Sequence, residues 1–123
     1  MTAPVWMNAV VGDFGRGAGL GGLALDDRGV AVLRFETGAA LRLEYTGVEL
    51  VIAVTVPVAD VKRLLALAHP KAQHGFIVRT GVIHKTQEGV LAVRLAERDV
   101  TLPQVSSVFS VLWRLASEVG GAR

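Results

Sequence analysis

The sequence predicts an α+β fold, an antiparallel sheet flanked by helices in the order α-βββ-α-ββ-α, and three patterns carry that expectation. From Gly29 to Pro57 large apolar residues recur with period two through three segments separated by glycine turns. A second alternating pair lies between Phe76 and Leu95. Near the end, Leu102 to Val119 carries apolar residues at helical spacing.

Ala3 to about Phe14 reads as the first helix: Pro4 is tolerated in its first turn, and Val5, Trp6, Ala9, Val10 and Phe14 fall near helical spacing. The glycine-dense stretch Gly15 to Gly22 stops it, and Leu23 to Gly29 leads into the first strand. In the first two strands the apolar residues Leu33, Phe35, Leu41, Leu43 and Tyr45 occupy odd positions. A three-residue connection, Thr37-Gly38-Ala39, then sets Phe35 opposite Leu41, Leu33 opposite Leu43 and Ala31 opposite Tyr45. The third strand carries Leu50, Ile52, Val54 and Val56 at even positions, which meet odd partners only through an even-numbered loop. Gly47-Val48 supplies it, with glycine first as a type II′ turn requires. The reverse face holds Val32, Arg34, Glu36, Arg42, Glu44, Val51, Ala53 and Thr55, salted at one end and apolar at the other. A one-residue slip would exchange the two faces.

Pro57 closes the third strand. Val58 to Ala68 reads as the second helix, with Val58, Val61, Leu64, Leu65 and Ala68 on one side, Lys62 and Arg63 on the other, and His69-Pro70 at its end. In the second hairpin Phe76, Val78 and Val82 alternate with Ile77, Arg79 and Ile83; Lys85 to Gly89 turns the chain, and Leu91, Val93 and Leu95 form the returning face. Strand 76–83 is partly apolar on both sides, which suits a central or interface strand. The closing helix has Leu102, Val105, Phe109, Leu112, Ala116 and Val119 on one stripe, widened by Val108 and Leu115. Pro103 belongs in its first turn, with Thr101 or Asp99 as the capping residue.

At 123 residues the chain is expected to form one domain, spanning 1–123. Hydrophobic residues make up 51% and charged residues 20%, with a mean hydropathy of +0.46, so part of the apolar surface is expected to be covered by another chain. The net charge of +2 comes from scattered Arg and Lys without a basic cluster, which argues against nucleic acid as a partner. With no cysteine there is neither a disulfide nor a thiol nucleophile, and a reducing compartment fits. The first basic residue is Arg16, so no secretory signal is apparent, and the longest apolar run, Leu50 to Ala59, is too short to enter and span a bilayer. A cytoplasmic location is the expectation.

No constellation for catalysis, cofactor or metal binding stands out. Gly17, Gly19 and Gly22 satisfy G-x-G-x-x-G with Glu36 downstream, but a dinucleotide fingerprint follows a strand and opens a helix, and these glycines do neither. His69, His74 and His84 lack the spacing of a helical metal site. Asp26-Asp27 before Arg28-Gly29 reads as a turn, and Ser106, Ser107 and Ser110 have no base at a meaningful spacing. What remains is apolar surface: Val5, Trp6 and Val10 on the first helix, and Val32, Val51, Ala53, Ile77 and Ile83 behind the sheet. Either a second layer or the first helix packs there, or the surface is a groove for an extended segment of another protein.

The stretch Phe14 to Tyr45, with Gly22-Leu23-Ala24-Leu25-Asp26 and Gly29 standing as G-L-x-L-D-x-x-G before a strand hairpin with a glycine turn, resembles the opening of the class I type III secretion chaperones. Element order extends the resemblance over nearly the whole chain. It implies a bacterial cytoplasmic homodimer, without cofactor or metal, that binds the N-terminal secretion segment of an effector in extended form and keeps it export-competent. The secretion apparatus would be a further partner. Carried onto this sequence, the effector surface would be Val5, Trp6, Val10, Val32, Arg34 and Val51. The dimer surface would be Val61, Leu64, Leu65 and Ala68 with Phe76 and Val78. One departure is charge, since such chaperones are commonly acidic and this chain is slightly basic. The alternatives are a dimeric α+β interaction adaptor unrelated to secretion, which only the identity of its partner would distinguish, and a small-molecule or nucleotide-binding enzyme using the glycine stretch.

Overall fold

The computed structural model describes residues 1–57, 72–73, 75–83 and 85–118. Along them run α1 (Val5–Gly17), β1 (Val30–Arg34), β2 (Ala40–Tyr45), β3 (Glu49–Pro57), β4 (Ala72–Gln73), β5 (Phe76–Ile77), β6 (Arg79–Ile83), β7 (Glu88–Ala96), a 3₁₀ turn (Glu97–Asp99) and α2 (Leu102–Ala116). The main sheet is antiparallel with strand order β1-β2-β3-β7-β6, and β4 and β5 form a separate ribbon. The predicted second helix, Val58 to Ala68, and all three histidines lie outside the described residues.

Parity along the strands decides which face is core. Leu41, Leu43, Leu50, Ile52 and Val54 are fully buried, and Leu91, Val93 and Leu95 continue the same face onto β7. α2 lies across β3 and β7 on this face, and α1 packs on α2. The buried cluster takes Met7, Val11 and Phe14 from α1 and Val105, Val108, Val111, Leu112 and Leu115 from α2. None of the reverse-face residues belongs to it, so the first helix does not cover that face.

The β2–β3 turn forms as the sequence predicts. Tyr45 faces Leu50, Thr46 N–H donates to the Glu49 carbonyl at 2.9 Å, and Gly47 takes φ +105°. The β1–β2 register differs by two residues. Leu33, not Phe35, faces Leu41, and Ala31 faces Leu43. The cause is Gly38 at φ +91°: a three-residue hairpin loop places its left-handed residue last, so the loop is Glu36-Thr37-Gly38 and Phe35 N–H donates to Ala39 O at 2.8 Å. A shift of two keeps every side chain on its predicted face.

The second hairpin departs further. Instead of one strand over 76–83, Gly75 at φ +87° folds Phe76–Ile77 back onto Ala72–Gln73, and only Arg79–Ile83 joins the main sheet. β6 is an edge strand, not a central one. Glu88 and Gly89 already belong to β7, and Gln87 at φ 56° is the turn's left-handed residue.

α2 starts under the cap expected of Thr101, whose Oγ1 accepts from Gln104 N–H at 3.3 Å, with Pro103 in the first turn. Its buried face is rotated from the predicted stripe toward Val111: Leu102 is 41% exposed and Phe109 half-buried. α1 likewise turns inward through Met7, Val11 and Phe14. It also runs through Gly15 to Gly17 instead of stopping, because Gly15 is a buried contact between helix and chain and not a terminator.

Candidate binding surfaces

The sequence-predicted surface residues fall into two groups that the fold separates. Val5 and Trp6 are 87% and 45% exposed on α1, while Val10 is half-buried against the core. Val32 (47% exposed), Arg34 and Val51 lie on the reverse face of the sheet, with Arg42 and Glu44 of β2 between β1 and β3. Phe76 is half-buried and Val78 is buried in its own chain at 1%. Val61, Leu64, Leu65 and Ala68 lie outside the described residues.

Beside α1 runs a surface groove of about 670 Å³. Val5, Ala9, Gly12 and Arg16, spaced four, three and four apart, form its helical wall, and Leu23 to Asp27 form the other. The second wall is held by Asn8, whose Oδ1 accepts from Leu25 N–H at 3.0 Å, while Leu23 and Leu25 point into the core. The turn that follows is built on Asp26. Its Oδ1 accepts from the N–H groups of Arg28 and Val30, each at 2.9 Å, and Gly29 closes the turn at φ +78°. The Val30 N–H and then the Arg28 N–H hold the Asp26 carboxyl below the usual carboxylate range despite partial desolvation, helped by the charges of Arg28 and the chain's amino group. Asp26-Asp27 is thus a turn device, as the sequence suggests.

On the reverse face, β-ladder partners line up in rows across the sheet. One reads Val30, Glu44, Val51, Arg94; the next Val32, Arg42, Ala53, Ala92, Arg79; a third Arg34, Ala40, Thr55, Val90, Gly81. The middle of this surface is therefore small or β-branched, with charge toward the margins. Arg42 pairs with Glu44 at 3.1 Å and Arg94 with Glu49 at 3.0 Å, both exposed and worth little to stability.

Sequence reasoning missed an aromatic chain along the flank of the core. Phe14 meets Phe109 edge-on at 5.3 Å, Phe109 stacks on Trp113 at 5.6 Å, and Trp113 meets Phe35 at 4.8 Å. The signal was present, since Phe109 and Trp113 are four apart on one helix, but Phe35 comes from a distant hairpin. Two clefts of about 420 and 320 Å³ flank α2 and share Ser106 and Ser110. Their described lining residues include no acid and no histidine that could activate a serine.

Among the described residues two helices lie on one face of a five-stranded antiparallel sheet and leave its opposite face and a surface groove unfilled, which defines an α+β module. Three solved structures of similar fold are complexes. The Yersinia pestis type III secretion chaperone SycH with a fragment of YscM2 is 17% identical, with TM-score 0.69 over 93% of this chain and 99% of that one. The HopA1–SchA chaperone–effector complex is 19% identical, with TM-score 0.70 over 93% and 92%. The ExsC–ExsE complex is 19% identical, with TM-score 0.71 over 94% and 92%. A comparison with curated proteins finds no match. The model of the type III secretory system chaperone SycN family matches residues 6–120, and the chain belongs to that family. Among the described residues no helix is long and apolar enough to cross a membrane.

Proposed function

We propose that this secretion chaperone acts without turnover in the bacterial cytoplasm, binding the N-terminal secretion segment of an effector in extended form and keeping it soluble and export-competent. The observation that carries the reading is family membership across residues 6–120. The apolar surface gives it physical content: Val5 in the wall of the α1 groove, Trp6 exposed on the same helix, and exposed Val32 with half-buried Val51 behind the sheet offer area that an extended chain would bury. Backbone hydrogen bonds would supply affinity and side-chain pockets selectivity. The chain would work as a homodimer, through Val61, Leu64, Leu65 and Ala68 with Phe76, over a support in which Val78 is packed.

The test is co-expression with the secretion segment of a cargo encoded beside the gene. Truncating Trp6 and Val32 together to Ala should abolish capture while the sedimentation mass stays that of two chains. Undiminished capture removes these residues from the site.

A further inference from the structure

We propose that the free edge of β1 selects an extended segment carrying an acidic residue next to a large apolar one, with Arg34 receiving the acid and the Phe35–Trp113 pair the apolar side chain. This rests on the reading of the chain as a chaperone of extended cargo and adds the chemistry of the segment it takes.

The backbone defines the site. Tyr45 N–H donates to Gly29 O and Phe35 N–H to Ala39 O, each at 2.8 Å, so the odd residues of β1 form its hydrogen-bonded pairs with β2. The N–H and C=O groups of the even residues point away from β2. At Val30 both are already used: Asp26 N–H donates to its carbonyl and Asp26 Oδ1 accepts from its N–H, each at 2.9 Å. Among the described residues nothing pairs with the outward groups of Val32 and Arg34, an edge on which a short strand could pair.

Side-chain alternation then fixes what such a strand carries. Residues turned to the reverse face would lie beside Val32 and Arg34. Residues turned the other way would lie along the open flank of the core, over half-buried Leu33 and Phe35, with Trp113 behind Phe35 at 4.8 Å. Charge selects between acid and base. On this face Arg42 and Arg94 are matched by Glu44 and Glu49, whereas Arg34 has no ion-pair partner among the described residues. Glu36 lies past the strand, in the turn where the ladder has closed.

The experiment measures fluorescence anisotropy of the full chain with two labelled synthetic peptides, one alternating Leu with Asp and Ser, the other alternating Leu with Lys and Ser. The acidic peptide should bind about five- to tenfold more tightly at low salt, and methylating alternate backbone amides should abolish its binding. Arg34→Glu should reverse the order, while Arg98→Glu, the same charge change on the exposed 3₁₀ turn, should not. Equal binding of both peptides, or an order unchanged in Arg34→Glu, overturns the inference and leaves the chaperone reading standing. Binding of neither peptide by a chain that still co-purifies with its cargo segment shows Arg34 guarding the edge, and overturns it as well. A chain that captures no secretion segment at all removes the chaperone reading itself.

Discussion

Replacing Gly15 by alanine separates a structural role from a compositional one. In an unconstrained helix the substitution should stabilise by up to ~1 kcal/mol, because glycine loses more backbone freedom on folding than alanine. Here a methyl group at Gly15 would lie 2.7 Å from the Leu20 carbonyl oxygen and 2.8 Å from Leu23 Cβ, atoms that are not the far ends of flexible side chains. The Leu20 N–H also donates to Gly15 O at 2.6 Å, so the chain after α1 is tied down where the methyl would push. Overpacking costs ~1–3 kcal/mol; two contacts under 3.0 Å, one to a backbone oxygen and one to a Cβ, put this site in the upper part of that range, ~2–3 kcal/mol, and subtracting the ~1 kcal/mol propensity gain leaves a net loss of roughly 1–2 kcal/mol. For a chain of this size that lowers the melting temperature by roughly 3–10 °C. Gly12→Ala is the internal control: its methyl would meet Arg16 Nη1 at 3.6 Å, ordinary contact, so it should raise the melting temperature by a few degrees. Both variants are followed by circular dichroism at one fixed protein concentration, because self-association would make melting concentration-dependent. A Gly15→Ala chain that melts at or above the wild type refutes the close approach of α1 to Leu23.

Two further outcomes come from titratable groups. The Asp26 carboxyl is held below its ordinary range in the folded chain, so its ionised form stabilises the fold above that range and the contribution fades as pH falls through the folded value. The difference in urea midpoint between wild type and Asp26→Ala should therefore be full at neutral pH and shrink in acid; a difference independent of pH discounts the turn's charge. Tyr45, the only tyrosine, is buried and donates to Gly47 O at 3.0 Å or Glu97 Oε2 at 3.2 Å. Burial first, then the Glu97 charge and hydrogen bond, push its phenol above the ordinary range. Tyrosinate absorbance should titrate late and move earlier in Glu97→Gln; an unmoved midpoint removes Glu97 from the cause.

Residue parity made the sheet legible. Odd apolar residues on β1 and β2 and even ones on β3 specify the two faces, and that assignment survives a two-residue error in the first hairpin. The same parity put Val32, Arg34 and Val51 behind the sheet. What failed was glycine. Gly15 reads as a helix terminator and is a packing contact, Gly38 reads as mid-loop and is the loop's last residue, and Gly75, just ahead of the expected strand, turns Phe76–Ile77 onto a ribbon of their own so that the strand is interrupted at Val78. A glycine's role depends on what its missing side chain would have touched, which local pattern does not contain. The aromatic chain was hidden for a related reason, since Phe14, Phe35 and Trp113 are brought together only by α1 and the first hairpin meeting α2.

The G-L-x-L-D-x-x-G segment, which looks structural in sequence, also has a consequence for binding. Its leucines seat the segment against the core, and its aspartate turns the chain into β1 by consuming both outward-facing backbone groups of Val30. Without that turn the β1 edge would be open along its whole length, a template for indiscriminate strand pairing. With it, the open positions of β1 among the described residues are Val32 and Arg34, where a charged side chain sits beside them. Backbone hydrogen bonds alone cannot distinguish one extended segment from another; a short edge next to Arg34 and the Phe35–Trp113 pair can, because few residues pair and each must also satisfy a side-chain neighbour. Selectivity for cargo would thus arise from the turn that limits the edge as much as from the residues that contact the segment.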